Sequence, residues 1–284
     1  MEAIGAPQNA PIFGIDFTSA PSGRKQIVCS QGQLNDNVLT MQTCLFLTSL
    51  EQFEAFLAQD GPWLAALDFP FGQPHRLLLQ LGWPEAWEDY VWLIAQIGKR
   101  AFEQVLANYC EGKPIGDKLH LRATDIAAGA RSPMMMQRVP VGKMFFEGAS
   151  RLLAAPVSVL PCRPLLSNRI AVEGYPALIA RRWIGSRSYK SDERRKQTAE
   201  QLAARRSLVQ ALTSDELATV YGMKVVIDDK MIGASIEDPM GDVLDAVLCA
   251  LQAAWAYTQR DNGYGIPPGH EFEGWIADPQ LRPI

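Results

Sequence analysis

Histidine is scarce in this chain: His75, His120 and His270 are the three in 284 residues, and they form no zinc-ligand motif. Cysteine is nearly as scarce. The five (Cys29, Cys44, Cys110, Cys162 and Cys249) are scattered and odd in number. None forms a Cys-x-x-Cys pair, so neither a cysteine-based metal site nor a disulfide framework is expected. Cys29, Cys44 and Cys249 lie in apolar runs and read as small core residues. A reducing cytoplasm suits this usage. No stretch of eighteen apolar residues is free of charge, so no membrane-spanning helix is expected. Met1 to Asn9 has no basic head before an apolar segment, which argues against a signal peptide. An excess of positive charge is also missing. The net charge of −4 excludes a global basic signature for nucleic acid and leaves room only for a local basic groove. Low-complexity tracts and internal repeats are absent.

What the chain does have is apolar surface to bury. Hydrophobic residues make up 48% of it, enough for one large domain spanning 1–284. Pro11 to Thr18 reads as a short apolar strand with one acid, Asp16. Strands deplete Asp, and an ionised carboxylate is costly to bury alone. The turn cluster Thr18–Gly23 follows. Gln26–Cys29 and Val38–Phe46 read as two further strands separated by a turn, which predicts an antiparallel meander. Ser49 caps a helix whose face is Leu50, Phe53, Phe56 and Leu57, with Gln52 at capping-box spacing. Gly61-Pro62 stops it.

Trp63 to Gly72 repeats the opening pattern: an apolar strand running into Asp68, then a Pro/Gly turn. A crossover helix before it predicts pairing parallel to the first strand, so that Asp16 and Asp68 share one end of the sheet. Ligand sites in α/β sheets gather at such carboxyl ends. Residues 74–155 read as a helical insertion, with helices at Glu85–Cys110, Asp117–Ala128 and Gly142–Ala154. Arg122, Asp125, Arg131 and Lys143 there are either phosphate contacts or solvated charges. The run Met134–Met136 reads as gap-filling core.

Pro156–Leu160 and Arg169–Pro176 return to strand character, and Glu173 is the third acid at such a strand end. Between Arg181 and Arg206, nine cations face three acids, a local excess of six positive charges. Ser191 is placed to cap the helix that follows. The stretch is either a solvated helix face or a track for a phosphate backbone. Arg187, Lys190 and Arg194 are its candidate substrate contacts, with nucleic acid the expected partner. Asp238-Pro239 then predicts a helix start. The helix is apolar nearly all round from Val243, yet carries Asp242 and Asp245 on one face. A helix beginning near Pro239 leaves Asp245 too deep for capping. A short last strand is expected around Glu273–Ile276.

Asp16 and Asp68 each have a plain reading as a turn cap, and Asp242 as an acid at the positive end of the helix dipole. Together they read differently. Two unit charges about 4 Å apart repel by about 4 kcal/mol at an effective dielectric near 20, so converging carboxylates need a cation or protons. Oxygen ligands without histidine favour Mg²⁺ or Mn²⁺. Two such ions held by carboxylates can activate water and stabilise both oxygens of a phosphodiester displacement. The expected chemistry is metal-dependent phosphoryl hydrolysis.

Five stretches, in order, resemble a family of unknown function usually described as predicted nucleases of RNase H-like fold. They are Gly14-Ile15-Asp16, Leu67-Asp68-Phe69-Pro70-Phe71-Gly72, Val172-Glu173-Gly174-Tyr175-Pro176-Ala177, Ser188-Tyr189-Lys190 with its Arg-rich helix, and Asp242 to Leu251. The last also resembles the final helix of RuvC-type Holliday-junction resolvases. The resemblance implies an α/β fold with a mixed five-stranded sheet, three antiparallel strands leading and two parallel ones following. It implies that Asp16 is the central metal ligand, Asp68 the second-strand ligand, and Asp245 with Asp242 the helix ligands. Glu173 matches the nuclease family and has no clear counterpart in the resolvases. Asp16, Asp68, Glu173 and Asp245 are the candidate catalytic residues. Two other readings stand beside a nuclease. One is a non-catalytic nucleic-acid or protein binding module whose acids hold a structural cation. The other is an actin-like ATPase, although the turn after Asp16 has glycine only at its end.

Overall fold

A computed structural model describes residues 11–137 and 139–281. The expectation about Met1 to Asn9 lies outside the described residues. The chain forms an α/β fold around one mixed sheet. Its strands are β1 (Pro11–Asp16), β2 (Ile27–Asn35), β3 (Val38–Leu47), β4 (Trp63–Leu67), β5 (Ser158–Leu160), β6 (Arg169–Glu173) and β7 (Lys224–Val226). Their order is β5-β6-β4-β1-β2-β3-β7. β1, β2 and β3 form the expected antiparallel meander. β4 pairs parallel to β1, and β6 parallel to β4.

The sheet has seven strands where five were expected. β5 extends one edge parallel to β6, and β7 extends the other parallel to β3. β7 is Lys-Val-Val with only its middle residue buried, too short to show an alternating pattern. The predicted strand at Glu273–Ile276 shrinks to a single bridge between Ile276 and Glu173.

Helices cover both faces. α1 (Leu50–Ala58), α2 (His75–Leu81), α3 (Trp87–Cys110) and α5 (Val141–Ala154) pack on one, with α4 (Ala123–Ala128) between α3 and α5 in the chain. α6 (Pro176–Ile184), α7 (Ala199–Leu212), α8 (Asp215–Tyr221), α9 (Asp229–Glu237) and α10 (Asp242–Thr258) form the other core. Ser49 caps α1 as expected, accepting from the Gln52 amide at 3.3 Å. Among the described residues of 74–155 there is no strand. Their helices share apolar contacts with the sheet through Trp87, Tyr90, Phe102 and Phe145.

Several boundaries differ from expectation for local reasons. Gly98, at φ 79°, breaks α3 in the middle. The helix predicted over 117–128 is a 3₁₀ turn at Ile115–Asp117 followed by the short α4. Ser191 caps no helix. Thr198 does, in a reciprocal capping box with Gln201. α10 starts at Asp242, not near Pro239. Asp238 ends α9, and Gly241 turns the chain in the left-handed region at φ 74°. Asp238 still serves the new helix, accepting from the Val243 amide at 3.1 Å.

Candidate metal centre

Strand pairing brings the first two acids together. Ile15 lies opposite Leu67, and the Asp68 amide donates to the Ile15 carbonyl at 2.9 Å. Asp16 and Asp68 are therefore each one residue past a paired row, at the same end of adjacent parallel strands. Ile15 and Leu67 point into the α1–α5 core. Side chains alternate along a strand, so Asp16 turns to the opposite face, where α10 lies.

α10 reaches that face because β1 is bare there. At Gly14 an added Cβ would sit 2.0 Å from the Ala246 carbonyl oxygen and 2.1 Å from the Ala250 nitrogen. Helix backbone rests directly on strand backbone. Ser30, opposite Gly14 on β2, fixes the contact by donating to the Ala246 carbonyl at 2.7 Å. All of α10 except Trp255 and Thr258 is buried. Its first turn, carrying Asp242 and Asp245, ends beside Asp16. The revised helix start puts both acids at the positive end of the helix dipole, which favours their charge.

Asp16, Asp68 and Asp245 bring one carboxylate oxygen each to within 4.8 Å of one another. Asp16 is 6% exposed, Asp245 is fully buried and Asp68 is half-buried. Among the described residues, no donor hydrogen-bonds the carboxylate of Asp16 or of Asp68. Asp245 does have partners: the Tyr189 hydroxyl at 2.6 Å and the Lys190 ammonium. Burial pushes Asp16 well above the usual carboxylate range; Lys190 opposes the shift, while Asp242, Asp245 and Asp68 add to it. Burial, with Asp245 next, pushes Asp68 up to about 7. Burial works against the Lys190 charge, but Asp245, Tyr189, Asp16 and Asp68 outweigh it and hold its pKa well up. Lys190 is thus firmly protonated among these acids.

The remaining candidates are placed elsewhere. Asp242 turns to Lys25, which bridges it at 2.6 Å to Asp192 at 2.8 Å. Burial and neighbouring Asp238 raise the Asp242 pKa, with Lys25 opposing. Glu173 lies opposite Leu67, in the Ile15 row, and so points to the α1–α5 side. There Arg122 grips it through two bonds of 2.6 and 2.8 Å, and the Phe71 amide donates at 2.9 Å. Arg122 also bonds Asp125 at 2.7 and 3.0 Å. All three are buried, so Arg122 and Asp125 tie the helices to the sheet and neither is a solvated charge. Gly174, one residue later, occupies the row of Asp16 and Asp68.

The basic stretch is divided in the same way. Of Arg187, Lys190 and Arg194, only Lys190 joins the acids. Arg187 donates to the Ile184 carbonyl at 3.0 Å, and Arg194 is exposed in a 3₁₀ turn. Arg205 is buried and holds the Tyr189 and Ile236 carbonyls at 2.8 and 2.6 Å, setting the loop that carries Tyr189 and Lys190. Sequence reasoning missed Lys25 and Tyr189 as partners of the acids. Their position beside the motifs was the available signal, and nothing local marks their direction.

No curated protein and no solved structure matches the chain. A family profile described as "Protein of unknown function (DUF429)" matches residues 14–271, which include every residue of the acid group. From Gly14 at the helix contact to the loops beyond α10, the chain belongs to the DUF429 family.

Proposed function

We propose that this protein is a metal-dependent nuclease of RNase H-like architecture, with Asp16, Asp68 and Asp245 holding Mg²⁺ or Mn²⁺. One observation carries the reading: two carboxylates, one of them 94% buried, converge on a third with no hydrogen-bond donor of their own. Buried carboxylates ordinarily have partners. The donor set fits a hard divalent ion, since it is all carboxylate oxygen. Charge fits as well. With Asp16, Asp68, Asp242 and Asp245 ionised and Lys25 and Lys190 protonated, the cluster carries a formal −2, which one divalent ion balances.

A bound Mg²⁺ or Mn²⁺ supplies Lewis-acid stabilisation of a phosphoryl oxygen and lowers the pKa of water. The chain's own residues supply the rest. Asp16 and Asp68, free of donors, have their oxygens open to ligate once deprotonated. Tyr189 orients Asp245. Lys190, beside the group, is placed to meet a phosphate oxygen. Glu173, gripped by Arg122, holds the loop after β4 and is a positioning residue. The five-strand order β3-β2-β1-β4-β6, antiparallel and then parallel, supports the RNase H-like reading, with β5 and β7 as added edges. The non-catalytic binding module has an observation in its favour too: Lys190 already neutralises part of the cluster.

Thermal unfolding with and without Mn²⁺ tests for the ion, and Mn²⁺-dependent cleavage separates a nuclease from a module that merely holds a structural cation. An ion at about 100 times its Kd adds about 2.7 kcal/mol, about 5 °C or more for a chain of this size. The nuclease reading expects that rise in wild type, its loss in Asp16→Asn, and Mn²⁺-dependent cleavage lost in the same variant. A rise without cleavage leaves the binding module as the better account, and no rise in wild type at millimolar Mn²⁺ overturns the ion site itself.

A further inference from the structure

A cleft of about 300 Å³ opens beside the acid group. Asp68 and Lys190 belong both to the acid cluster and to its wall. Phe69, Pro70, Val141, Met144, Tyr175 and Ala177 make much of the remaining lining apolar. Arg122, Asp125 and Glu173 also reach the wall, but Arg122 is already paired with both carboxylates. Arg131 is different: it is exposed, lines the cleft and has no ion-pair partner among the described residues. Tyr175 is held in place by Arg181, whose guanidinium lies 5.3 Å from the ring centroid.

A surface built for a duplex backbone would be open and basic. This one is small, largely apolar and concave, the character of a small-ligand pocket. Paired bases are stacked inside a duplex and offer no apolar face to such a cleft. An unpaired base does, and aromatic side chains are its usual platform. The combination of a carboxylate group, a lysine and an arginine around an apolar wall matches a phosphate ester carrying one flat ring system.

We propose that this cleft takes a single unpaired nucleotide: its base lies on the Tyr175 side of the wall, its phosphate lies at the Asp68–Lys190 end against Lys190 and the divalent ion that the acids would hold, and Arg131 meets an adjacent phosphate. This rests on the metal-dependent reading above and narrows its substrate to free nucleotides or single strands.

The test uses the full chain with Mn²⁺ and three probes: thymidine 5′-monophosphate, a short single-stranded oligothymidylate and a blunt duplex of matching length. Binding is read by fluorescence anisotropy for the oligonucleotides and by thermal shift for the mononucleotide. Ala177→Trp fills the cleft, and Arg131→Ala removes only an exposed cation. The single strand is expected to bind at least tenfold tighter than the duplex. Ala177→Trp should lose tenfold or more while keeping its Mn²⁺ stabilisation. Arg131→Ala should lower the salt slope of oligonucleotide binding by about one. Mononucleotide binding identifies a free nucleotide as ligand, and oligonucleotide binding alone identifies a strand; either supports the cleft. Duplex binding as tight as single-strand binding overturns the proposal, as does single-strand affinity unchanged in both variants. In those cases a retained Mn²⁺ response leaves the metal site standing. A missing Mn²⁺ response in wild type removes the reading on which the proposal rests.

Discussion

Gly14 and Ala246 touch through their backbones: a Cβ on Gly14 would come within 2.0 Å of the Ala246 carbonyl oxygen. This contact sets how closely α10 lies on β1, and with it where Asp245 lies relative to Asp16. Gly14→Val is expected to cost about 3 kcal/mol or more, at or above the upper end of ordinary overpacking, because the obstruction is backbone that cannot rotate away. Urea unfolding measures the cost. Mn²⁺ stabilisation should be lost even where the variant still folds, since the helix acids are displaced. A Gly14→Val protein with normal stability and a normal Mn²⁺ response would refute this role for the contact.

Lys190 pairs with Asp245. Its removal in Lys190→Met leaves acids without their cation. We expect a loss of about 1–2 kcal/mol at pH 8, below the usual 3–5 kcal/mol for breaking a buried pair because the lysine is partly exposed. The loss should shrink at pH 5, where Asp68, pushed up to about 7, holds its proton. Mn²⁺ affinity should rise, since the ammonium no longer competes. Calorimetric titration decides this; weaker Mn²⁺ binding would show Lys190 supporting the ion.

Glu173→Gln isolates the acid on the other face. Arg122 keeps Asp125 but loses its second carboxylate, so about 2–3 kcal/mol of stability should go. The Mn²⁺-dependent rise in melting temperature should remain as large as in wild type. Its disappearance would place Glu173 in the ion site after all.

Raised acid pKa values give the metal-free protein a distinct pH dependence. Asp68 titrates near 7 in the folded chain and Asp16 is also raised, against ordinary values of 3.8. Between about pH 4 and 7 the folded state therefore binds more protons than the unfolded one. These groups' contribution to stability falls as pH rises across that window. An ion requires the deprotonated carboxylates, so its affinity should climb over the same range. Melting temperatures from pH 5 to 8.5, with and without Mn²⁺, should diverge progressively. Parallel curves would count against the shifts and the site together.

Much of this arrangement was legible in the sequence because its causes are local. Apolar strands ending in Asp16 and Asp68, each followed by turn residues, announced two acids at strand ends. The crossover between them announced parallel pairing, and hence a shared end. The apolar circumference of Val243–Trp255 announced a buried helix carrying Asp245. Other features depended on partners distant in sequence. Side chains alternate with a period of two residues, so Glu173 needed only to pair with Leu67, in place of Asp68, to face Arg122 across the sheet. Lys25 reaches Asp242 over 217 residues, and Lys190 reaches Asp245 over 55. The sequence by itself determined which acids stand at the ends of buried elements, because burial and turn chemistry are written in neighbouring residues. Only the tertiary structure decided which of them share a point in space and which are neutralised elsewhere, because strand register and helix docking are long-range contacts that no local pattern encodes.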